Sequence, residues 1–538
     1  MSSADIFDVI IVGYGPIGQA VSVLLAQQGW RVAVLEKRQS RFPMPRAVSF
    51  DGESGRILAA VGIAEELGVV GESSRDYVWQ TANGRVLFEI DVNETGRSGW
   101  PDSTSVYQPK LEESIAIRAA RLANLTLLRG HNVVKIDRSE NEVRVGIETA
   151  EGERTQLTSR WVIGCDGANS FVRQSIESSV QDFEYFNDWL TCDGIVRDER
   201  SFTPNNLQIC DPARPRTAVS AGPGHRRWEF MRLPGESRQE FGDIENVWRM
   251  LELFGIAPAD LTLERHAVYT FQARYVHEWR CGRVLLAGDA AHLMPPFAGQ
   301  GMCSGFRDAA NIAWKLDLIL RGVASEALLD SYGMERRNHV RHAIEMSMHL
   351  GKIICETDAK AAEDRNEVMI AVRERTLGEQ QAEPAVRSLD SGVLSHRTDS
   401  NVGIGTLAPQ GRVTSGVLTG LFDEIVGYGF VLIVKGDESV HLSQRQLRFL
   451  KAIDAIVARV RTADETITSE IVSGVPGLSR FVNVIDNDHA YLDLLSRNNA
   501  VATLIRPDFY VFGFASDSTQ IGALVEELEN QVLASPEL

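Results

Sequence analysis

Cysteine is scarce in this chain and never paired. Six cysteines stand singly at positions 165, 192, 210, 281, 303 and 355 of 538 residues, with no CxxC or CxxxxC spacing. That pattern argues against a zinc knot, a disulfide framework and a disulfide oxidoreductase, and a reducing cytoplasm is the expected setting. An excess of positive charge is also missing: 55 basic against 73 acidic residues leave a net charge of −18. No nucleic-acid partner and no anionic membrane surface are expected. No apolar run approaches the roughly 18 residues of a membrane span. The opening MSSADIFDVIIVG has no basic segment ahead of an apolar one, so a secretory leader is not expected. Internal repeats and low-complexity tracts are absent as well. What remains, 44% hydrophobic and 24% charged residues over 538 positions, exceeds one core, and about two to four domains are expected.

The N-terminal stretch is the most legible. FDVIIVG is a β-branched run suited to a parallel strand buried on both faces, GYGPIGQAVSVLLAQQG turns into a helix that stops at Gly29, and WRVAVLE is a second strand. Gly13, Gly15 and Gly18 form G-x-G-x-x-G directly after the first strand, and Glu36 closes the second. The first glycine makes the tight turn, the second admits a pyrophosphate to the backbone, and the third lets helix pack on strand. The helix start offers free N–H groups to an anion, and Glu36 suits a ribose diol. Nucleotide binding is expected; FAD and NAD are not distinguished by these residues.

Two further stretches interrupt the regular pattern. GCDGANSFVR (Gly164 to Arg173) runs from a strand into an Asp-Gly turn, which by itself reads as a turn. GDAAHLMPPFAGQGM (Gly288 to Met302) separates the strand RVLLA from the helical run GFRDAANIAWKLDLIL, and is longer than an ordinary strand-to-helix loop of two to six residues. Asp289 ends a strand where doubly wound sheets bind ligands, and Gly299, Gln300, Gly301 and Met302 begin a helix whose first N–H groups lack partners. The text from 182 to 275 is strand-like and aromatic, an antiparallel sheet inserted between two parts of the first domain, 1–181 and 276–399. Glu356 to Asp399 reads as helix ending in a linker, and 400–538 as a separate small α/β domain.

In this order the three motifs resemble those of the FAD-dependent aromatic hydroxylases (class A flavoprotein monooxygenases). YQPKLEESI, ICDPARPRTAV, RRWEFMRLPGE and GRVLLAGDAAHLMPPFAGQGM look closest to the 3-(3-hydroxyphenyl)propionate hydroxylase group. The resemblance implies a Rossmann-like α/β FAD-binding domain, an inserted antiparallel substrate sheet and a C-terminal thioredoxin-like domain. That last domain has no cysteine, so its expected use is scaffolding or assembly, with a homodimer as one form. The resemblance assigns Gly13, Gly15 and Gly18 to the FAD pyrophosphate and Glu36 to the adenosine ribose. It sets Arg46 near the flavin, Gln108 near the ribityl chain and Asp166 beside both FAD and a passing nicotinamide. Asp289 falls to the ribityl or pyrophosphate region, with Pro296, Gly299, Gln300, Gly301 and Met302 at the flavin's pyrimidine edge.

The implied reaction uses non-covalently bound FAD, NADH or NADPH as a transient donor, and O2. A flavin C4a-hydroperoxide would hydroxylate a phenolic acid such as 3-(3-hydroxyphenyl)propionate ortho to its hydroxyl. A base that deprotonates the phenol is expected, with Tyr269, Arg274 and His225 as candidates. Arg227, Trp228, Tyr269 and Pro295 are candidates for the substrate pocket. His292, within the glycine-rich loop, reads as a satisfied loop histidine. The alternatives are a hydroxylase of a larger polycyclic or polyketide-type phenol and a non-catalytic FAD-fold binding protein. Two departures from the group stand out, Cys303 where a small polar residue is usual and TCDGIV (Thr191 to Val196) in place of a more apolar strand.

Overall fold

The computed structural model describes residues 6–41, 46–74, 76–197, 201–376, 387–396, 402–436, 438–465 and 480–533. Strand β1 (Ile6–Val12) pairs in parallel with β2 (Val32–Glu36) across the helix α1 (Pro16–Gln27). A crossover of this kind forces parallel strands, and burial on both faces explains why Val9 to Val12 and Val32 to Leu35 are apolar without alternation. The sheet continues on one side to Leu125–Arg129 and on the other through Arg154–Gly164 and Val284–Leu286 to Arg280–Cys281. The three motif turns therefore leave the C-terminal end of parallel strands, on the same side of this sheet.

The second sheet is antiparallel over most of its width. Its order runs His292–Leu293, Leu261–Val276, Val180–Val196, His225–Met231, Arg216–Ser220, Leu207–Ile209, Asp76–Gln80, Val86–Asp91. The last two strands come from ahead of residue 182 and His292–Leu293 from beyond 275, so the sheet draws on more chain than the insertion expected from sequence. Its far face is closed by an apolar cluster that includes Trp228, Phe230, Phe241, Val247 and Leu251.

Helices α2 (Gly52–Val61), α3 (Gln108–Ala120), α4 (Gln300–Leu320) and α5 (Asp330–Ile354) surround the first sheet. The segment read as helix and linker forms a helix over Ala359–Thr376; residues 377–386 and 397–401 lie outside the described residues. Between them, residues 387–396 run along the C-terminal domain, where Leu389 N donates to Gly405 O and Ser395 N to Phe512 O. That domain is a seven-stranded sheet with a parallel core, Val431–Lys435, Ile456–Arg461 and Phe481–Asp486, extended by antiparallel Ala502–Ile505 and Val511–Ala515. This is the thioredoxin-like arrangement, with no cysteine beyond Cys355.

Buried charge joins this domain to the rest. Arg506 donates to both Glu335 oxygens at 3.0 and 2.7 Å and to Asp508, while Lys315 Nζ reaches Glu335 Oε2 at 2.8 Å. Asn311 and Trp314, both on α4, donate to Asp508 Oδ2. On α2, Arg56 forks onto Asp423 at 2.6 and 2.8 Å and caps the Ala408 carbonyl. Burial by itself would raise the Glu335 carboxyl, but Arg506 and Lys315 outweigh it and hold it below the usual glutamate range.

Replacing Arg506 by Met leaves two buried carboxylates short of donors and is expected to cost about 3–5 kcal/mol, read as a lower urea midpoint. Glu335 is depressed in the folded state, so its contribution is fully present above the ordinary unfolded value near about 4.3 and is lost as pH falls below it. Stability of the wild-type chain should accordingly fall on acidification more steeply than that of the variant.

Candidate functional site

The motif turns and the near face of the second sheet enclose one cavity of about 1440 Å³. At its first-sheet end, Gly13 has φ +100, and a side chain there would run into the Cys165 carbonyl. A Cβ on Gly18 would strike the Gly13 carbonyl, whereas one on Gly15 would meet nothing within 4 Å. Two glycines are thus fixed by packing and the third keeps an open approach to the start of α1, the shape a pyrophosphate needs. Glu36 is held there by two turn amides, Tyr14 N on Oε2 and Arg38 N on Oε1, each at 2.9 Å. The Arg129 guanidinium lies 5.3 Å from the centre of the Tyr14 ring. Tyr14, Glu36 and Arg129 all line the cavity, a donor set suited to an adenosine.

Further along, Gln108 spends its amide on the chain. Its Oε1 accepts from Arg46 N (2.8 Å) and Ala47 N (2.7 Å), and its Nε2 donates to Glu112. Burial raises the Glu112 carboxyl above the usual range. Asp166 caps the short helix after the Asp-Gly turn, accepting from Ser170 Oγ, Phe171 N and Val172 N. Burial outweighs these donors and its carboxyl is raised. Asp289 is open to the cavity and stands 3.7 Å from Arg46.

The long loop is held from below by Asp308 on α4, whose Oδ2 takes Gly288 N at 2.9 Å and pairs with His292 Nε2 at 2.8 Å. His292 is thereby occupied within the loop. Pro296 begins a 3-10 turn ending at Gly299, φ +65, the left-handed residue from which α4 departs. Among the described residues no side chain caps α4, and Gly299, Gln300, Gly301 and Met302 all line the cavity. A 21-residue helix therefore aims its uncapped N–H groups at the space beside the Asp289 turn. Glycines without side-chain obstruction, free helix-start amides and the carboxylate at Glu36 fit FAD along this wall. Gly13, Gly15, Gly18, Glu36, Arg46, Gln108, Asp166, Asp289, Pro296 and Gly299 to Met302 are all among the lining residues except Gly18, which packs beneath.

The sheet wall follows the two-residue period of strands. Tyr77 and Trp79, Phe88 and Ile90, Asn206 and Gln208, Thr217 and Val219, and Arg227 and Glu229 face the cavity from five strands. Cross-strand register sets Gln208, Thr217, Glu229 and Thr191 in one row. Thr217 Oγ1 donates to Gln208 Oε1 at 2.6 Å. Glu229 is raised by burial, with Arg227 acting the other way. Arg227 itself forks onto Asp193 at 2.6 and 3.1 Å and donates to the Arg46 carbonyl at 2.7 Å.

Several pocket candidates from sequence fall outside the lining. Trp228 follows Arg227 on one strand and must point to the opposite face, where it is buried in the apolar cluster. Tyr269 pairs with Trp189, but the Arg265 guanidinium covers its ring at 4.6 Å. His225 stacks on Tyr107 with ring centres 3.7 Å apart. Arg274 donates to the Ala168 carbonyl in a side crevice, and Pro295 gives way to Pro296. The cavity instead gathers Glu229, Gln208, Thr217, Tyr77, His349 from α5 and Tyr510 from the C-terminal domain, none of which the sequence reading singled out. Glu229 was recoverable, because alternation from Arg227 selects it.

A family model described as an FAD binding domain matches residues 7–347, and one described as the HcaD C-terminal domain matches 405–531. The chain is 35% identical over 533 residues to a probable NADH-specific resorcinol 4-hydroxylase of Rhodococcus jostii (strain RHA1), covering 98% of this chain and 96% of that one. It is 29% identical to a 3-(3-hydroxy-phenyl)propionate/3-hydroxycinnamic acid hydroxylase of Comamonas testosteroni, covering 99% and 98%. The fold matches the flavin-dependent monooxygenase PieE, solved with FAD and substrate, with a TM-score of 0.78 at 19% identity over 98% and 99% of the two chains.

The glycine geometry separates folding from binding. Gly15→Leu should leave the thermal midpoint of the cofactor-free protein close to that of cofactor-free wild type, while the purified variant loses most of its visible flavin absorbance. Gly18→Leu should lose both, because its side chain has nowhere to go.

Proposed function

Because this chain belongs to the FAD-dependent aromatic hydroxylases, we propose that it uses NADH and O2 to hydroxylate a small, uncharged meta-substituted phenol of the resorcinol type. The observation that carries this reading is the polar row Gln208, Thr217, Glu229 on the cavity face. Neutral acceptors and donors beside a carboxyl suit two ring hydroxyls. Among the described residues the cation of this row is Arg227, which forks onto Asp193 and lies 3.7 Å from Glu229. The resorcinol hydroxylase relative supports the same substrate class and NADH as donor. A phenolic acid such as 3-(3-hydroxyphenyl)propionate is the second reading, favoured by the Comamonas relative and by Arg97 and Arg387 elsewhere on the cavity lining.

Bound FAD, reduced by the nicotinamide, supplies activated oxygen for transfer to the ring. The protein's share is binding, orientation and proton handling. Gly13, Gly15 and the start of α1 bind the pyrophosphate; Glu36 binds the ribose. The uncapped start of α4 would hold the ring system of the cofactor and favour negative charge there, by on the order of 1 kcal/mol or more where water is excluded. Trp79, Phe88 and Phe297 enclose the aromatic substrate. Glu229 accepts the proton of the phenol hydroxyl, which raises electron density at the ortho carbon.

The decisive assay is NADH oxidation with resorcinol and with 3-(3-hydroxyphenyl)propionate, with products analysed by mass. Resorcinol should stimulate oxidation and yield a product heavier by one oxygen, about 16 mass units. Stimulation by the phenylpropionate alone would favour the second reading, and peroxide as the sole product with both would sink the two together. Glu229→Gln should lower kcat by about 10²–10⁴-fold. In the wild type, burial raises Glu229, so kcat/KM should climb with pH through a limb lying above the ordinary carboxylate range. That limb should vanish in the variant.

A further inference from the structure

The C-terminal domain touches the start of α4 through a continuous buried chain. Tyr510 Oη donates to Glu53 Oε1 at 2.8 Å. The other Glu53 oxygen accepts from Arg307 Nε at 2.6 Å, and Arg307 Nη1 donates to Gln300 Oε1 at 3.0 Å. Arg307 Nη2 is bonded to Asp51. Tyr510, Glu53, Arg307 and Gln300 are each no more than 5% exposed, and all four border the cavity. Gln300 is the first residue of α4, immediately after the left-handed Gly299. A residue 457 positions from Glu53 in sequence thus ends a hydrogen-bonded line at the helix turn assigned above to the flavin.

We propose that Tyr510 is a positioning residue for the flavin: by engaging one oxygen of Glu53, it keeps Arg307 shared between Glu53 and Gln300 and so fixes the first turn of α4. This rests on the FAD-dependent hydroxylase reading for the identity of the ligand. The physical step is competition for one guanidinium. A carboxylate with both oxygens free takes an arginine in a two-pronged grip, which is stronger and more exacting in geometry than a single bond. With Tyr510 on Oε1, Glu53 offers Arg307 only Oε2, and an Arg307 nitrogen remains for Gln300. Without the hydroxyl, Glu53 turns its second oxygen to Arg307 Nη2, now held by Asp51, the guanidinium pivots away from Gln300, and the uncapped turn loosens. Burial and Glu53 together keep the Tyr510 phenol neutral, which preserves it as a donor. A cysteine-free domain thereby gains a part in the cofactor site without any redox chemistry.

The test is Tyr510→Phe in the full chain, beside Thr503→Val, which removes another buried bond of the same domain, Thr503 Oγ1 to Gly513 O, outside that chain of contacts. Hydrogen exchange of the amides at 299–304 is measured on the cofactor-free proteins, followed by FAD affinity and the flavin midpoint potential after reloading. Tyr510→Phe should speed exchange at 299–304, weaken FAD by roughly tenfold and lower the potential. Thr503→Val should lower thermal stability and change none of the three. Unchanged exchange and affinity in Tyr510→Phe, or equal changes in Thr503→Val, would overturn the proposal. Because exchange is read without cofactor or substrate, failure of the phenol assay leaves this result standing on its own.

Discussion

Helix α4 carries Arg307, Asp308, Asn311 and Lys315 at almost fully buried positions, and each must find a partner of matching charge or polarity. The partners lie in four directions. Arg307 is taken by Asp51 and Glu53, Asp308 by the Gly288 amide, His292 and Arg336, Asn311 by Glu335 and Asp508, and Lys315 by Glu335. Apolar packing alone holds a helix in a groove but is tolerant of sliding and rotation, because burial of area has no direction. Ion pairs with fixed geometry are not tolerant. Their net stabilisation is small after desolvation, so their value here is register: they fix the depth and rotation at which the α4 start meets the cavity.

The opposite wall obeys a different rule. Its geometry is set by strand alternation, with every second side chain of five adjacent strands turned inward. Such a wall can change its chemistry one side chain at a time without altering the sheet, because each inward residue has a cross-strand neighbour but no covalent consequence for the next position. The cofactor wall lacks that freedom. A side chain at Gly13 or Gly18 collides with backbone, and Asp166 and Gln108 are committed to holding turns. Substitution is obstructed on one side and tolerated on the other because of how each side is built.

This division also explains what could be read in the sequence. The βαβ unit, the Asp-Gly turn and the Asp289 loop are local: glycine spacing, an adjacent strand and an adjacent helix start are all visible within about thirty residues. Sheet composition was only half legible. Composition points to both Arg227 and Trp228 as pocket residues although neighbours on a strand cannot share a face, and Tyr269 has the right parity but lies under Arg265. Tyr77, Trp79 and Phe88 were missed for a topological reason, since their strands join the sheet from ahead of the insertion. Tyr510 left no signal at all. A tyrosine in a strand-rich segment is ordinary, and its partner Glu53 is known only once two domains are apposed.

The docking of the C-terminal domain is chemically costly for a mere spacer. Joining it through Arg56–Asp423 and through Arg506 with Glu335 and Asp508 strips several full charges of water, a penalty that an apolar interface of the same shape would avoid. Charge pairs at such a junction discriminate: a displaced domain leaves buried ions unmatched, so intermediate seatings are disfavoured far more than they would be between greasy surfaces. That sharpness matters because Thr406, Leu407 and Tyr510 are part of the cavity wall. A loosely seated domain would admit water beside the α4 start, raising the local dielectric where helix-end charge must act and weakening it accordingly. The buried ions of the junction and the exposed amides of the cavity are therefore two ends of one constraint, with the first keeping the second in register.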